Sequence, residues 1–163
     1  MNCILEPADR EDGHQIIDIF NYYVENSFAA YPESRVPYDF FELFLSMSAG
    51  YPFLVAKDGS GKVLGFGLLR PHSPLPAFRR TAEITCFVAA GHTRRGIGGQ
   101  ILDSLLAEAR EMGIAAILAS ISSLNPGSIA FHEKMGFQER GRFFGVGRKK
   151  GREFDEVWMQ RLV

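Results

Sequence analysis

The stretch Thr93-Arg94-Arg95-Gly96-Ile97-Gly98-Gly99 decides how the rest of the chain is read. A strand-like run, Ala82 to Val88, precedes it, and a helix-period apolar run follows it. Strand, Gly-rich turn and helix start together form a cradle of main-chain N–H groups suited to phosphate. Two common phosphate binders fail on residue chemistry. Gly91 and Gly96 have the first spacing of a P-loop, but Ile97 and Gly98 stand where a lysine and a Ser or Thr must hold a triphosphate and its magnesium. A dinucleotide fingerprint, GxGxxG, breaks at Ile101, and the next strand-like run, Ile114 to Ile121, carries no acid for a ribose. Two readings remain: a diphosphate held by main-chain amides, or a tight turn whose glycines serve packing alone.

Outward from the turn, the helix from Gly98 places Ile101, Leu102, Leu105, Ala109 and Met112 on one face and ends at Gly113. Ile114 to Ile121 is a continuous apolar run of buried-strand type. Asn125 then caps a helix with Pro126 at its first position, and Gly136 closes it. Phe137 to Arg148 and Glu153 to Leu162 read as two long strands joined by a Lys150-Gly151 turn. Upstream, Thr81 to Ala89 alternates, with Glu83, Thr85 and Phe87 on one face and Ile84, Cys86 and Val88 on the other. Phe53 to Lys57 and Val63 to Arg70 flank Asp58-Gly59-Ser60-Gly61, a hairpin turn. Pro71 to Phe78, with three prolines, is a loop. Asp9 caps a first helix bearing Ile16, Ile19, Phe20, Tyr23 and Val24; Phe28 to Pro37 is a loop, and Asp39 to Met47 a short second helix ending at Gly50. These elements form a single α+β domain spanning residues 1–163.

At 163 residues the chain is long enough to bury a substantial core. Its 18 Lys+Arg against 19 Asp+Glu give no field that favours nucleic acid or a membrane surface. Apolar runs fall short of a membrane span and no signal-peptide pattern opens the chain, so a cytoplasmic location is expected. Cys3 and Cys86 lack metal-ligand spacing, as do His14, His72 and His92, which read as surface or loop groups. Cys86 faces away from Glu83 and reads as a small buried thiol.

Arg94-Arg95-Gly96-Ile97-Gly98 resembles the acetyl-coenzyme A pyrophosphate loop of the GNAT acyltransferase superfamily, usually (Gln/Arg)-x-x-Gly-x-(Gly/Ala). Asn125-Pro126-Gly127-Ser128-Ile129-Ala130-Phe131-His132-Glu133-Lys134-Met135-Gly136-Phe137 resembles its second signature, Asn…Ser…(Tyr/His)-Glu-Lys-x-Gly-Phe. Tyr51 to Ala56, Thr81-Ala82-Glu83, Asn21-Tyr22-Tyr23 and the segment Val146 to Met159 extend the likeness to the phosphinothricin acetyltransferase-like branch over nearly the whole chain. Thr93 departs from the usual Gln/Arg, and Arg94 replaces a common glycine. The resemblance implies a three-layer α/β arrangement: a mixed, mostly antiparallel sheet splayed near Val88, with flanking helices.

It also implies the chemistry. Acetyl-coenzyme A is the cofactor and a small-molecule amine of amino-acid type the acceptor, with direct transfer in a ternary complex. The pyrophosphate is assigned to the amides of Arg94, Arg95, Gly96, Ile97, Gly98 and Gly99, with the Arg94 and Arg95 side chains either touching it or left solvated. The pantetheine arm pairs with the strand edge at Phe87 and Val88, and a main-chain N–H near Val88 faces the oxyanion. Asn125 and Ser128 fall in the cofactor signature, and Asn125 either bonds a pantetheine amide or only caps its helix. Glu83 is the candidate general base; the alternative pairs it with Arg79 or Arg80. His132 stands where many relatives have a tyrosine acid and either protonates the thiolate or merely packs. Phe28, Tyr31 and Tyr51 are candidate acceptor-pocket walls, with Arg70 and Arg79 for an anionic group. The resemblance also implies a homodimer, the assembly common in that branch. The rival functions are a coenzyme A-binding regulatory domain that transfers nothing and a protein-lysine acetyltransferase.

Overall fold

In the computed structural model, which describes residues 2–163, the strands are β1 (Ile4–Pro7), β2 (Phe53–Lys57), β3 (Val63–Pro71), β4 (Thr81–Val88), β5 (Ala116–Ser122), β6 (Gln138–Lys149) and β7 (Arg152–Leu162). The helices are α1 (Gly13–Asn26), α2 (Phe40–Met47), α3 (Ile97–Glu111) and α4 (Pro126–Lys134). Local chemistry accounts for their ends. Asp9 accepts from the Glu11 amide at 2.8 Å while Asp12 accepts from the Asp9 amide at 3.0 Å, a reciprocal cap that turns the chain into α1. The Asn125 side chain caps α4 through the Ser128 amide at 3.3 Å, with Pro126 in its first turn. Gly113 and Gly136, at φ +76° and +88°, supply the left-handed residue after α3 and α4. Lys150 and Gly151 (φ +50° and +74°) make the tight β6–β7 turn.

The sheet order is β1-β2-β3-β4-β5-β7-β6, and every neighbour pair is antiparallel except β4 with β5. Two cores cover its faces. α3 lays Ile101, Leu102, Leu105 and Ala109 against Ile117, Ala119, Val157 and Met159. On the other face α1 and α2 bring Ile16, Phe20, Phe41 and Phe44 onto Phe53, Val55, Phe66 and Leu68. Gly67 in β3 permits the close approach of α3: a Cβ there would lie 2.6 Å from the Ile101 side chain. Among the described residues no helix is long and apolar enough to cross a membrane.

Two details differ from the sequence reading. Ile4–Pro7 forms an edge strand on β2 that the sequence did not suggest. Met112 lies beyond the last turn of α3 and is exposed rather than part of its buried face.

Candidate active site

The parallel pairing of β4 with β5 covers only Thr81↔Ala116, Ala82↔Ile117 and Glu83↔Leu118. Beyond Glu83 the strands part, so the sheet opens along Ile84 to Val88. The Ala89 amide bonds to Leu64 O at 2.8 Å and the His72 amide to Thr81 O at 3.2 Å, which fixes the alternation of the β3–β4 ladder. Residues 83, 85, 87 and 89 turn their main-chain groups to β3, and Ile84, Cys86 and Val88 turn theirs into the gap. The exposed strand edge therefore belongs to Cys86 and Val88. The assignment of that edge to Phe87 is corrected, because its main chain is committed to Phe66. Phe87 instead presents its ring, packed against Phe20, Tyr23 and Phe66. The Val88 carbonyl is taken by the Tyr23 hydroxyl, which burial keeps protonated by pushing its pKa up.

A cavity of about 1160 Å³ fills the opening. At one end lies the Gly-rich turn. Arg94 and Gly96 both adopt left-handed backbone, φ +59° and +83°, which accounts for glycine being common at position 94 in chains this one resembles. α3 has no side-chain cap, and its first intrahelical bond runs from the Gln100 amide to Gly96 O at 3.1 Å. The N–H groups of its first turn are thus left for an anion. Gly98 lets α4 come close: a Cβ would sit 3.3 Å from the Phe131 ring. Arg94, Gly96, Gly98 and Gly99 line the cavity, as do Asn125 and Ser128 from α4. Arg95 and Ile97 do not: Arg95 is exposed outside it, and the Ile97 side chain is buried in the core. His92, read as a surface or loop group, lies in the short turn before the Gly-rich segment and lines the cavity, and its Nδ1 is buried without a hydrogen-bond partner among the described residues. A backbone nest, an uncapped helix start, an open strand edge and an orphaned imidazole nitrogen fit acetyl-coenzyme A, with its diphosphate at one end and two amides along the arm.

Glu83 sits at the vertex of the opening with its side chain 13% exposed. Its Oε1 accepts from Arg70 at 3.0 Å and its Oε2 faces His72 Nδ1 at 2.9 Å. Its partners are therefore these two and not Arg79 or Arg80; His72 touches Glu83 without lining the cavity. Arg70 lines the cavity; Arg79, at the end of a short 3₁₀ turn, is exposed and lies outside it. Phe28 is likewise outside, its ring beneath the Arg152 guanidinium at 5.3 Å. Tyr51 packs at the α3-side core and does not line the cavity. Tyr31 does line it. Cys86 faces the α3 side, and burial pushes its thiol up to about 12, so it stays protonated.

His132 is buried and places Nδ1 2.8 Å from the Ser128 carbonyl and 3.3 Å from the Ser128 hydroxyl. A carbonyl only accepts, so Nδ1 carries the proton and Nε2 of the neutral ring is an acceptor. Burial pulls the pKa of His132 below its ordinary value, against a modest opposing contribution from that hydrogen bond.

Sequence reasoning missed a polar group on the β5–β7 side. Ser120, Glu156 and Trp158 line the cavity, linked by Ser120 Oγ to Glu156 Oε2 at 3.0 Å and Trp158 Nε1 to Glu156 Oε1 at 2.7 Å. The alternation Glu156-Val157-Trp158-Met159 carried the signal for a shared face, but nothing in it named β5 as the neighbour.

The family model described as "Acetyltransferase (GNAT) family" matches residues 16–137. This chain belongs to the GNAT acetyltransferase family. It is 34% identical over 162 residues to the L-methionine sulfoximine/L-methionine sulfone acetyltransferase of Pseudomonas aeruginosa, covering 98% of this chain and 94% of the relative. It is 30% identical to the phosphinothricin N-acetyltransferase of Streptomyces coelicolor, covering 96% and 94%. The crystal structure of a GNAT superfamily phosphinothricin acetyltransferase from Sinorhizobium meliloti in complex with AcCoA superposes with a TM-score of 0.93 at 30% identity, covering 100% of this chain and 89% of that one. The chain is a phosphinothricin acetyltransferase-like GNAT enzyme that uses acetyl-coenzyme A for N-acetyl transfer, with the splayed mixed sheet of that fold.

Proposed function

We propose that this GNAT enzyme acetylates the α-amine of small amino-acid-like acceptors of the phosphinothricin or methionine sulfoximine type. The observation that carries this reading is the lining of the cavity, to which Phe20, Phe40, Phe44 and Tyr31 contribute along with Arg70 and Glu83. An aromatic pocket with one arginine suits a compact zwitterion, whereas a protein-lysine acceptor calls for a wide acidic groove. Arg70 spends one N–H on Glu83 and has others to offer a carboxylate, sulfoximine or phosphinate.

When bound, acetyl-coenzyme A supplies the activated acetyl thioester. Its diphosphate is assigned to the amides at Arg94 to Gly99, its arm to the Cys86–Val88 edge, and further polar contacts to His92, Asn125 and Ser128. The Val88 N–H, which points into the gap, would supply a donor to negative charge developing on the thioester oxygen. An amine attacks only in its neutral form, and Glu83 removes the proton directly or through a water. His132, neutral and with Nε2 as an acceptor, orients rather than protonates; a thiol with a pKa of about 8.5 leaves near neutrality without an enzyme acid. A cytoplasmic setting is in keeping with the free thiols Cys3 and Cys86. Homodimer assembly is in keeping with Phe143, Phe144 and Val146, which project from β6 at 58, 79 and 62% exposure.

The test is thiol release from acetyl-coenzyme A across a panel of amino acids, sulfoximines and phosphinates. Saturable release with these acceptors is expected. Tight acetyl-coenzyme A binding with no release for any amine would instead identify a regulatory binding domain.

A further inference from the structure

The cavity holds two carboxylates on the same face of the sheet, and their surroundings differ. Ile117, Ala119 and Ile121 of β5, and Val157 and Met159 of β7, point into the α3-side core. Leu118, Ser120, Glu156 and Trp158 therefore share the opposite face with Glu83, Thr85 and Phe87. Glu83 lies at the vertex, level with Leu118, and both its oxygens are engaged by Arg70 and His72. Ser120 is two residues further along β5, past the last contact with β4, so it faces the gap opposite the Ile84–Val88 edge.

Glu156 reaches this point from β7. Ser120 spends its single hydroxyl proton on Glu156, so the Tyr31 hydroxyl, 3.1 Å away, is the donor to Ser120 Oγ. Ser120 Oγ and the Trp158 indole thus donate to the two oxygens of one carboxylate, and Tyr31 donates to Ser120 behind them. None of the three is a cation, and no ion pair among the described residues includes Glu156. A half-buried carboxylate on the cavity wall, held by neutral donors and paired with no cationic side chain, is arranged for a cation that arrives from outside.

We infer that Glu156 is the counter-ion that receives the acceptor's ammonium group across the gap from the cofactor-binding edge, while Glu83 removes the proton. This rests on the amino-acid acceptor reading and adds how the acceptor is captured. An α-amine with a pKa of about 8 is mostly protonated at pH 7, so capture must recognise the ammonium even though transfer needs the amine.

Glu156→Gln, nearly isosteric, removes the charge. At pH 7 its acceptor KM rises about tenfold or more, with kcat and the acetyl-coenzyme A Kd within about threefold of native. At pH 9.5, where much more of the acceptor's amine is in the neutral form, the KM difference shrinks severalfold. Glu156→Asp restores part of the loss at pH 7. An unchanged KM at pH 7, an equal rise at both pH values, or a loss of kcat with KM intact would each overturn the assignment. The second of these would mean a packing role and the third that Glu156 is itself the base. Absence of transfer by the native protein to any amine would overturn the acceptor reading itself, and this assignment with it; transfer with KM indifferent to Glu156 would overturn the assignment alone.

Discussion

At the scale of single residues, the site depends on what is missing as much as on what is present. Gly98 has no side chain where the first turn of α3 faces Phe131 and Val88. Gly98→Asp would add both bulk and a negative charge beside the diphosphate, and the expected result is a loss of coenzyme A affinity of about 100-fold, roughly 2.7 kcal/mol. Calorimetry on a variant shown by circular dichroism to be folded checks this; unchanged affinity would remove the loop from the cofactor site. His132 allows a pH prediction. Its folded-state pKa lies below its unfolded value of 6.5, so the unfolded chain binds the proton more readily. Its contribution is complete above about pH 6.5 and is lost as the pH falls toward the folded pKa. His132→Gln should therefore flatten the fall in melting temperature between pH 7.5 and pH 5; an undiminished fall would show that other groups cause it. Glu83, His132 and the glycines were named in the sequence by the resemblance to the GNAT family. Their partners were not, since His72 and Arg70 meet Glu83 only through the β3–β4 register.

At the scale of elements, the acceptor pocket depends on how the loop after α1 is held. Lys149, at the end of β6 and 1% exposed, donates to Ser27 O at 2.7 Å and Ala30 O at 2.6 Å. Lys150 adds its amide to Glu33 Oε1 at 2.9 Å. The β6–β7 turn thereby fixes the segment that carries Ala29, Ala30, Tyr31 and Pro32 along the cavity. Lys149→Met leaves two carbonyls without their donor and should cost about 2 kcal/mol of stability. It should also raise the acceptor KM severalfold while the acetyl-coenzyme A Kd stays constant. A variant that loses stability with an unchanged acceptor KM would show that the clamp does not position the pocket. Most elements were readable from periodicity, capping and turn residues, as in α3, α4 and the β2–β3 hairpin. β1 was not, because four residues ending in proline carry too little alternation. Nor was the insertion of β7 between β5 and β6, which depends on pairings distant in sequence.

At the scale of the whole molecule, one topological event organises the rest. A sheet that is otherwise antiparallel contains a single parallel pair, and that pair separates after three residues. The separation exposes the main-chain edge of Ile84 to Val88 and leaves the uncapped α3 N-terminus at one end of the cavity. It also leaves two carboxylates, Glu83 and Glu156, lining the same cavity on one face of the sheet. The fold class and cofactor were legible because the Arg94–Gly99 turn and the Asn125–Phe137 signature lie in the right order. The acceptor side was less so, since Arg79 and Phe28 stand outside the cavity that Ser120, Glu156 and Trp158 help to line. The most direct measurement compares kcat/KM for N-acetylation of methionine sulfoximine with that for a lysine-containing peptide, product identity being read by mass spectrometry. A preference for the free amino acid of at least about 100-fold, roughly 2.7 kcal/mol, is expected. An equal or greater kcat/KM for the peptide would contradict it.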